Sequence, residues 1–484
     1  MILKEGSMTI AFPKPDQAVV ARRRDIIEGL GRLVASEALI VSEDERRAFE
    51  TDGLTAYRQM PLAVVLPSTT QEVSAIMRFC NDQGVKVVPR GAGTSLCGGA
   101  IPQADAIVLG VAKMNQVLDV SFEGRTARVQ AGITNLGISQ AVAHENFFYA
   151  PDPSSQLACT IAGNIAMNSG GAHCLKYGVT TNNLLGVTLV MLDGTVVEIG
   201  GEHLDAAGYD ILGLVCGSEG QLGVVTEAVV RILRAAEGAR PALFGFEKAE
   251  DAGACVAAII GAGIIPVALE YMDKPAIQIC EAFAHAGYPL DVEAMLIVEV
   301  EGSDQEIDDM LRRIVAISEP FKPKTMKVSQ SEAESAAIWK GRKSAFGATG
   351  RVADYICMDG TIPTGQLPYV LNRIDEIVKS YGLGVANVFH AGDGNLHPLV
   401  MFNTNVPGEM EKAEKAGEDI LKLCVEVGGC LTGEHGVGIE KRDLMTYQFN
   451  PVDLEQQMRV RGVFDPGWLL NPAKVFPLEG RFAA

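Results

Sequence analysis

Three of the seven histidines and one glutamate stand in two glycine-rich segments near the C-terminus. The first is Val385-Ala386-Asn387-Val388-Phe389-His390-Ala391-Gly392-Asp393-Gly394-Asn395-Leu396-His397-Pro398-Leu399-Val400-Met401-Phe402, and the second is Gly433-Glu434-His435-Gly436. Asp-Gly between two apolar runs is the strongest short-range signal for a two-residue hairpin turn, because both turn positions need positive φ. With Asp393 and Gly394 as that turn, His390 is expected directly opposite His397, with Cβ atoms about 5 Å apart. Two imidazoles so placed can grip one ion. Glu434 adds a carboxylate, and two His with one Glu leave an open coordination position, as a catalytic metal site does and a structural four-ligand site does not. His435 is a third imidazole beside it. His144, His173, His203 and His285 lack such a setting and are read as structural.

The elements that must position these groups follow from the rest of the chain. A length of 484 residues exceeds what one core supports, so two or more domains are expected. A net charge of −19 argues against nucleic acid or an anionic membrane as the main partner. No apolar run approaches ~20 residues, so no transmembrane segment is expected, and the opening stretch lacks the apolar centre of a secretory signal. The ten cysteines include no Cys-x-x-Cys. Iron–sulfur and zinc-ribbon ligand runs are thus excluded on spacing, and reduced thiols in a cytoplasmic setting are the default; if the protein moves electrons, it passes them to something outside this chain.

Arg22 to Leu30 reads as a helix. Ala63-Val64-Val65-Leu66-Pro67 reads as a short buried strand, and Thr69-x-x-Glu72 as a capping box before a helix with Val73, Ile76, Met77 and Cys80 on one face. Val85 to Pro89 completes a βαβ unit. The loop beyond, Arg90-Gly91-Ala92-Gly93-Thr94-Ser95, suits an anion nest. It departs from a nicotinamide-type Rossmann fingerprint, because Leu96 replaces the third glycine and Gly98-Gly99 cannot open a helix. Further glycine and small-polar clusters follow at Pro151 to Ser155, Thr160 to Gly171 and Gly217 to Thr226, separated by strands such as Leu185 to Leu192 with a turn at Asp193-Gly194. They suggest one long ligand lying across a sheet. Beyond Arg234 the texture alternates helices such as Ala249 to Gly261 with strands such as Ala294 to Val300.

The motifs Pro-Arg-Gly-x-Gly-Thr-Ser, Pro-Asp-Pro-Ser-Ser, Gly-Asn-x-x-x-Asn-x-Gly-Gly, Gly-Ser-Glu-Gly-x-Leu-Gly-Val-Val-Thr, His-Ala-Gly-Asp-Gly-Asn-Leu-His and Gly-Glu-His-Gly-Val-Gly occur in that order. Together they resemble the FAD-dependent D-2-hydroxyacid dehydrogenases of the vanillyl-alcohol-oxidase (PCMH-type) superfamily, and most of all its glycolate-oxidase flavoproteins. The likeness runs from about Thr51 to Pro477. It implies an α+β fold: a helical lead-in (1–50), a two-subdomain PCMH-type FAD-binding domain (51–238), an α/β substrate or cap domain with an antiparallel sheet and the metal hairpin (239–430), and a C-terminal helical segment returning to the flavin (431–484).

The resemblance also assigns roles. FAD would be held by Arg90, Gly91, Ala92, Gly93, Thr94 and Ser95 at the pyrophosphate, by Pro151, Asp152, Ser155, Gly163, Asn164, Asn168, Gly170 and Gly171 along the flavin and ribityl chain, by Glu219, Gly220, Gly223 and Val225 toward the adenine, and by Asn471. Thr94 stands where relatives attach flavin through His, so dissociable FAD is expected; Cys159 is the one thiol that leaves attachment open. Arg342 would hold the substrate carboxylate, His435 would take the hydroxyl proton, and His390, His397 and Glu434 would bind zinc or manganese. Cys357 and Leu399 replace a Lys and an Asn of relatives that take dicarboxylic hydroxy acids, which favours glycolate or D-lactate over a D-2-hydroxyglutarate-type substrate. Electron acceptors would be a second flavin-type subunit and an iron–sulfur subunit, with peripheral attachment to the inner membrane through them; a stand-alone dehydrogenase that passes electrons to a soluble carrier is equally permitted, and a homodimer is compatible. Two rivals stand beside this reading: a metal-dependent hydrolase without flavin, and a non-catalytic FAD-binding electron-transfer subunit.

Overall fold

The computed structural model describes residues 10–203 and 208–478. The chain forms two compact units, one of residues 1–170, 179–234 and 434–484, the other of residues 171–178 and 235–433.

The first unit carries two main sheets. In one, Leu39–Ile40, Ala63–Val65, Ala106–Gly110 and Lys86–Arg90 lie in that spatial order, the last three mutually parallel. Helix Thr70–Gln83 makes the crossover between Ala63–Val65 and Lys86–Arg90, and Ala106–Gly110 is inserted between the two strands. Its start obeys the capping expectation with one change: Thr69 accepts from Glu72 N, while Glu72 reaches Ser68 N at 2.6 Å instead of the cap residue. Val73, Ile76, Met77 and Cys80 are fully buried along its inner face. The other sheet is antiparallel, in the order Val117–Ser121, Thr126–Gln130, Val224–Arg231, Leu184–Val190 and Val196–Gly200. Leu184–Val190 is buried along its whole length and Val196–Gly200 alternates, as a central and an edge strand should. The C-terminal segment returns to the first sheet, where Val87 N donates to Leu469 O and Asn471 N to Val87 O.

The second unit is built on one seven-stranded antiparallel sheet, in the order Thr325–Val328, Gly238–Phe246, Ala294–Gly302, Ala268–Asp273, Gly384–His390, Pro398–Phe402 and Asp354–Cys357. Helix Ala249–Gly261 has the bounds its composition announces. Residues Gly171–Gly178, expected with the cofactor loops, belong to this second unit. Their place follows from side chains that no local pattern reveals: His173 meets Glu299 at 3.2 Å and Lys176 meets Glu301 at 2.6 Å.

Candidate active site

The histidine hairpin forms, with a register other than the expected one. Strands Gly384–His390 and Pro398–Phe402 pair with Asn387 opposite Pro398, which sets His390 against Asn395, not His397. The two-residue turn is replaced by the four-residue loop 391–394. Among the described residues Asp393 is not at positive φ, whereas Gly394 is, at 80°. A type I′ turn needs both. Tertiary anchors lengthen the loop: Gly392 N donates to Leu269 O at 3.1 Å and Ile362 N to Gly394 O at 2.9 Å. His397 thereby becomes the diagonal neighbour of His390 on one face. The rings lie 5.1 Å apart between centroids at 81°.

Gly394 is obligatory here, since a Cβ would run into the Ile362 carbonyl. Gly394→Ala is expected to cost about 2 kcal/mol or more from the left-handed φ and this clash together. Urea unfolding checks it, and an unchanged midpoint would contradict the geometry.

Two acids that the sequence reading missed organise these imidazoles. Asp359, fully buried, has Oδ1 at 3.5 Å from His397 Nε2 and accepts from Asn395 Nδ2 at 2.9 Å and from Gly433 N at 3.0 Å on Oδ2. Glu270, also fully buried, is the cross-strand partner of His390, whose Nδ1 lies 2.8 Å from Oε1. The signal was present in both cases as a lone carboxylate in an apolar run, Leu269-Glu270-Tyr271 and Met358-Asp359-Gly360, where an unpaired charge does not stay.

Arg342 is placed by helix Glu332–Lys343, which opens on the Ser331 cap and turns Ile338, Gly341 and Arg342 inward. Gly341 lets Tyr288 pack against the helix and donate to Ile338 O. The guanidinium does not stand open as expected: Nε and Nη2 both bind Glu270 Oε2, at 2.8 and 2.6 Å. That takes two of its five N–H groups. Burial pushes the Glu270 carboxyl up, but His390 and Arg342, through charge and hydrogen bonds, outweigh it and hold the group below its ordinary value.

In the first unit the glycine loops converge. A Cβ on Gly91 would strike the Thr160 hydroxyl, so the loop after Lys86–Arg90 abuts the start of helix Ile161–Met167. Gly93, at φ 75°, folds the loop over the Arg90 guanidinium, which donates to Thr51 O at 2.7 Å and is thereby a support of the loop more than a phosphate ligand. Asn164 Oδ1 accepts from Asn135 Nδ2 at 3.1 Å, and the same nitrogen donates to Pro151 O at 2.9 Å, joining the second loop to the helix. Asn168 closes the helix in the left-handed conformation, with Oδ1 accepting from Thr181 N. Gly217 N and Glu219 N donate to Ile165 O and Ala166 O. The Glu219 carboxylate, expected toward the adenine, instead takes Val437 N at 2.6 Å and Gly438 N at 2.8 Å. Val225 serves as strand backbone paired with Leu189.

Asn471 donates to Gly99 O and Glu219 O, at 2.9 and 2.7 Å, and its buried Oδ1 has no partner among the described residues. A buried acceptor without a donor is what a bound ligand satisfies. Glu434 is also fixed in this unit, accepting from Gly170 N at 2.9 Å at the end of the second loop. His435 follows it, half-buried, and Gly436 at φ 88° packs against Met167 and Glu219.

A two-sheet unit with converging glycine loops and a returning C-terminal segment, joined in one chain to an antiparallel-sheet unit, defines a class. The chain belongs to the FAD-linked oxidases: an FAD binding domain model matches residues 61–200, and the model for the C-terminal domain of FAD linked oxidases matches residues 236–475. It is an FAD-linked oxidoreductase. Among its relatives, the glycolate oxidase subunit GlcD of Escherichia coli K12 is 47% identical over 484 residues, covering 100% of this chain and 96% of that protein. The Bacillus subtilis glycolate oxidase subunit GlcD is 36% identical over 95% of this chain and 98% of its own. A D-lactate dehydrogenase of Archaeoglobus fulgidus is 32% identical over 89% and 95%. Among solved structures, p-cresol methylhydroxylase with substrate bound superposes with a TM-score of 0.80 over 97% of this chain and 99% of that one, at 14% identity, which shows the shared fold.

Proposed function

We propose that the chain oxidises a small D-2-hydroxy acid, glycolate or D-lactate, to the 2-oxo acid. The observation that carries this is the buried relay Arg342, Glu270, His390: one carboxylate joins a guanidinium suited to a substrate carboxylate to an imidazole of the paired-histidine face. The relatives named as glycolate oxidase subunits and D-lactate dehydrogenases support the same substrate class.

In this reading the N–H groups of Arg342 not taken by Glu270 hold the substrate carboxylate by charge-assisted bonds. His390 and His397, with their rings nearly perpendicular, and Glu434, the first residue after the chain leaves the second unit, would hold a divalent zinc or manganese ion, which would acidify the substrate hydroxyl. His435 takes the hydroxyl proton. FAD, held by the segments around Gly91 to Ser95, Pro151 to Ser155, Gly163 to Gly170, Gly220 to Val225 and Asn471, supplies the two-electron acceptor for the C2 hydride. Cys159 supports non-covalent binding: burial raises its thiol pKa, and the sulfur is engaged with Asn164.

Substrate size is set by Cys357 and Leu399. They are direct cross-strand partners, both buried, in an apolar cluster with Met272, Ala386 and Val388. Leu399 has no donor and the weakly donating Cys357 thiol is taken by Met358 O at 3.4 Å, so a second carboxylate desolvated there would cost several kcal/mol. The ten cysteines include no Cys-x-x-Cys for an iron–sulfur cluster, so the electrons leave the flavin for an acceptor outside this chain, either separate flavin-type and iron–sulfur subunits or a soluble carrier.

The test is anaerobic titration of the yellow protein with glycolate, D-lactate, L-lactate and D-2-hydroxyglutarate, following flavin bleaching. Glycolate or D-lactate is expected to bleach it at the lowest concentration. Bleaching by D-2-hydroxyglutarate alone would overturn the substrate assignment. A colourless protein that takes up no FAD would overturn the flavin reading and favour the metal-dependent hydrolase.

A further inference from the structure

Glu270 lies in strand Ala268–Asp273, and no motif points to it. Its carboxylate is fully buried, where an ion persists only if paired and hydrogen-bonded. Arginine offers donors alone, so the Nε and Nη2 contacts at 2.8 and 2.6 Å require Glu270 to face Arg342 as an ionised acceptor. An ionised carboxylate in turn faces a ring nitrogen that bears a proton. The His390 Nδ1, at 2.8 Å from Oε1, is therefore the N–H, and in the neutral ring the lone pair belongs to Nε2.

We propose that Glu270 is a positioning residue that sets the tautomer of His390 and the place of Arg342 at once, so that the ion-holding and the acid-holding groups share one anchor. This rests on the reading of His390 as an ion ligand. A carboxylate behind a ligating imidazole fixes its orientation and raises its basicity. In this chain the same carboxylate also carries the guanidinium. The cross-strand register Glu270 opposite His390 makes the distance between the two groups a property of the sheet.

Glu270→Gln tests the idea with nearly unchanged shape. The amide NH2 cannot face Arg342, which has no acceptor, so the amide oxygen takes the place of Oε2, 3.1 Å from His390 Nδ1, and the NH2 takes the place of Oε1, the nearer at 2.8 Å, where it would meet an Nδ1 proton head-on. The imidazole then accepts on Nδ1 and carries its proton on Nε2, the wrong tautomer for a ligand. Two measurements are made on the full chain with FAD: 15N NMR of the His390 ring in metal-free protein, and Mn2+ binding by equilibrium dialysis. Wild type is expected to show Nδ1–H. Glu270→Gln should show Nε2–H, bind Mn2+ tenfold to a hundredfold more weakly, and keep its FAD content. Glu270→Asp retains a carboxylate and should retain Nδ1–H. Wild-type His390 protonated on Nε2, or Glu270→Gln with Nδ1–H and unchanged Mn2+ affinity, would overturn the proposal. If wild type takes up no Mn2+ while the tautomers switch as stated, the role of Glu270 stands and the ion reading falls.

Discussion

Replacing His435 by Ala is expected to leave FAD bound and to slow anaerobic flavin reduction by hydroxy acid by about 10² to 10⁴-fold, the usual contribution of a positioned general base. The backbone on both sides of His435 is pinned independently of its ring. Glu434 is tied to Gly170 N, and Val437 and Gly438 donate to the Glu219 carboxylate. Removing the imidazole therefore removes chemistry without releasing the segment. The measurement is stopped-flow reduction beside the visible flavin spectrum. A variant that keeps its colour and reduces at the wild-type rate would take the proton-accepting role from His435. A variant that loses its colour would mean that the ring supports the cofactor site.

Arg342→Ala is expected to act on stability as well as on turnover. It leaves Glu270 fully buried without its guanidinium, and breaking a buried pair from one side costs about 3–5 kcal/mol. The pH dependence has a definite sign. In the wild type Glu270 is held below its ordinary value of 4.5, so its stabilising contribution is present above that value and is lost as pH falls through the lowered one. With the guanidinium gone, burial is opposed by His390 alone, so the carboxyl rises above its wild-type position. The stability gap between variant and wild type should thus narrow as pH falls from 7 toward 4, because protonation relieves the variant first. Chemical unfolding across that range checks this, and a gap that widens would sink the buried-pair account. Arg342→Lys keeps the charge but not the fork, so it should unfold closer to wild type yet need about 10- to 100-fold more hydroxy acid for half-bleaching, at about 1.4 kcal/mol per tenfold.

Periodicity was enough for the local elements. The capping box and apolar spacing placed the helix that begins after Thr69, alanine-rich composition placed helix 249–261, short apolar runs placed the strands, and turn chemistry placed the turn at Asp193-Gly194, because each of these depends on neighbours within a few positions. The same logic failed at Asp393-Gly394. There the loop is also held by Leu269 and Ile362, and those distant contacts outweigh the intrinsic preference for a two-residue turn.

By itself, then, the order of residues determined the flavin-oxidase loops and the placing of two histidines on one hairpin. Tertiary structure alone decided that His390 faces Asn395, that Gly171–Gly178 joins the second unit, and that Glu270 stands between Arg342 and His390. Glu270 is 120 positions from His390 and 72 from Arg342. Burial without water forces such charges to find each other, and a one-dimensional pattern carries no record of which distant partner the sheet will bring.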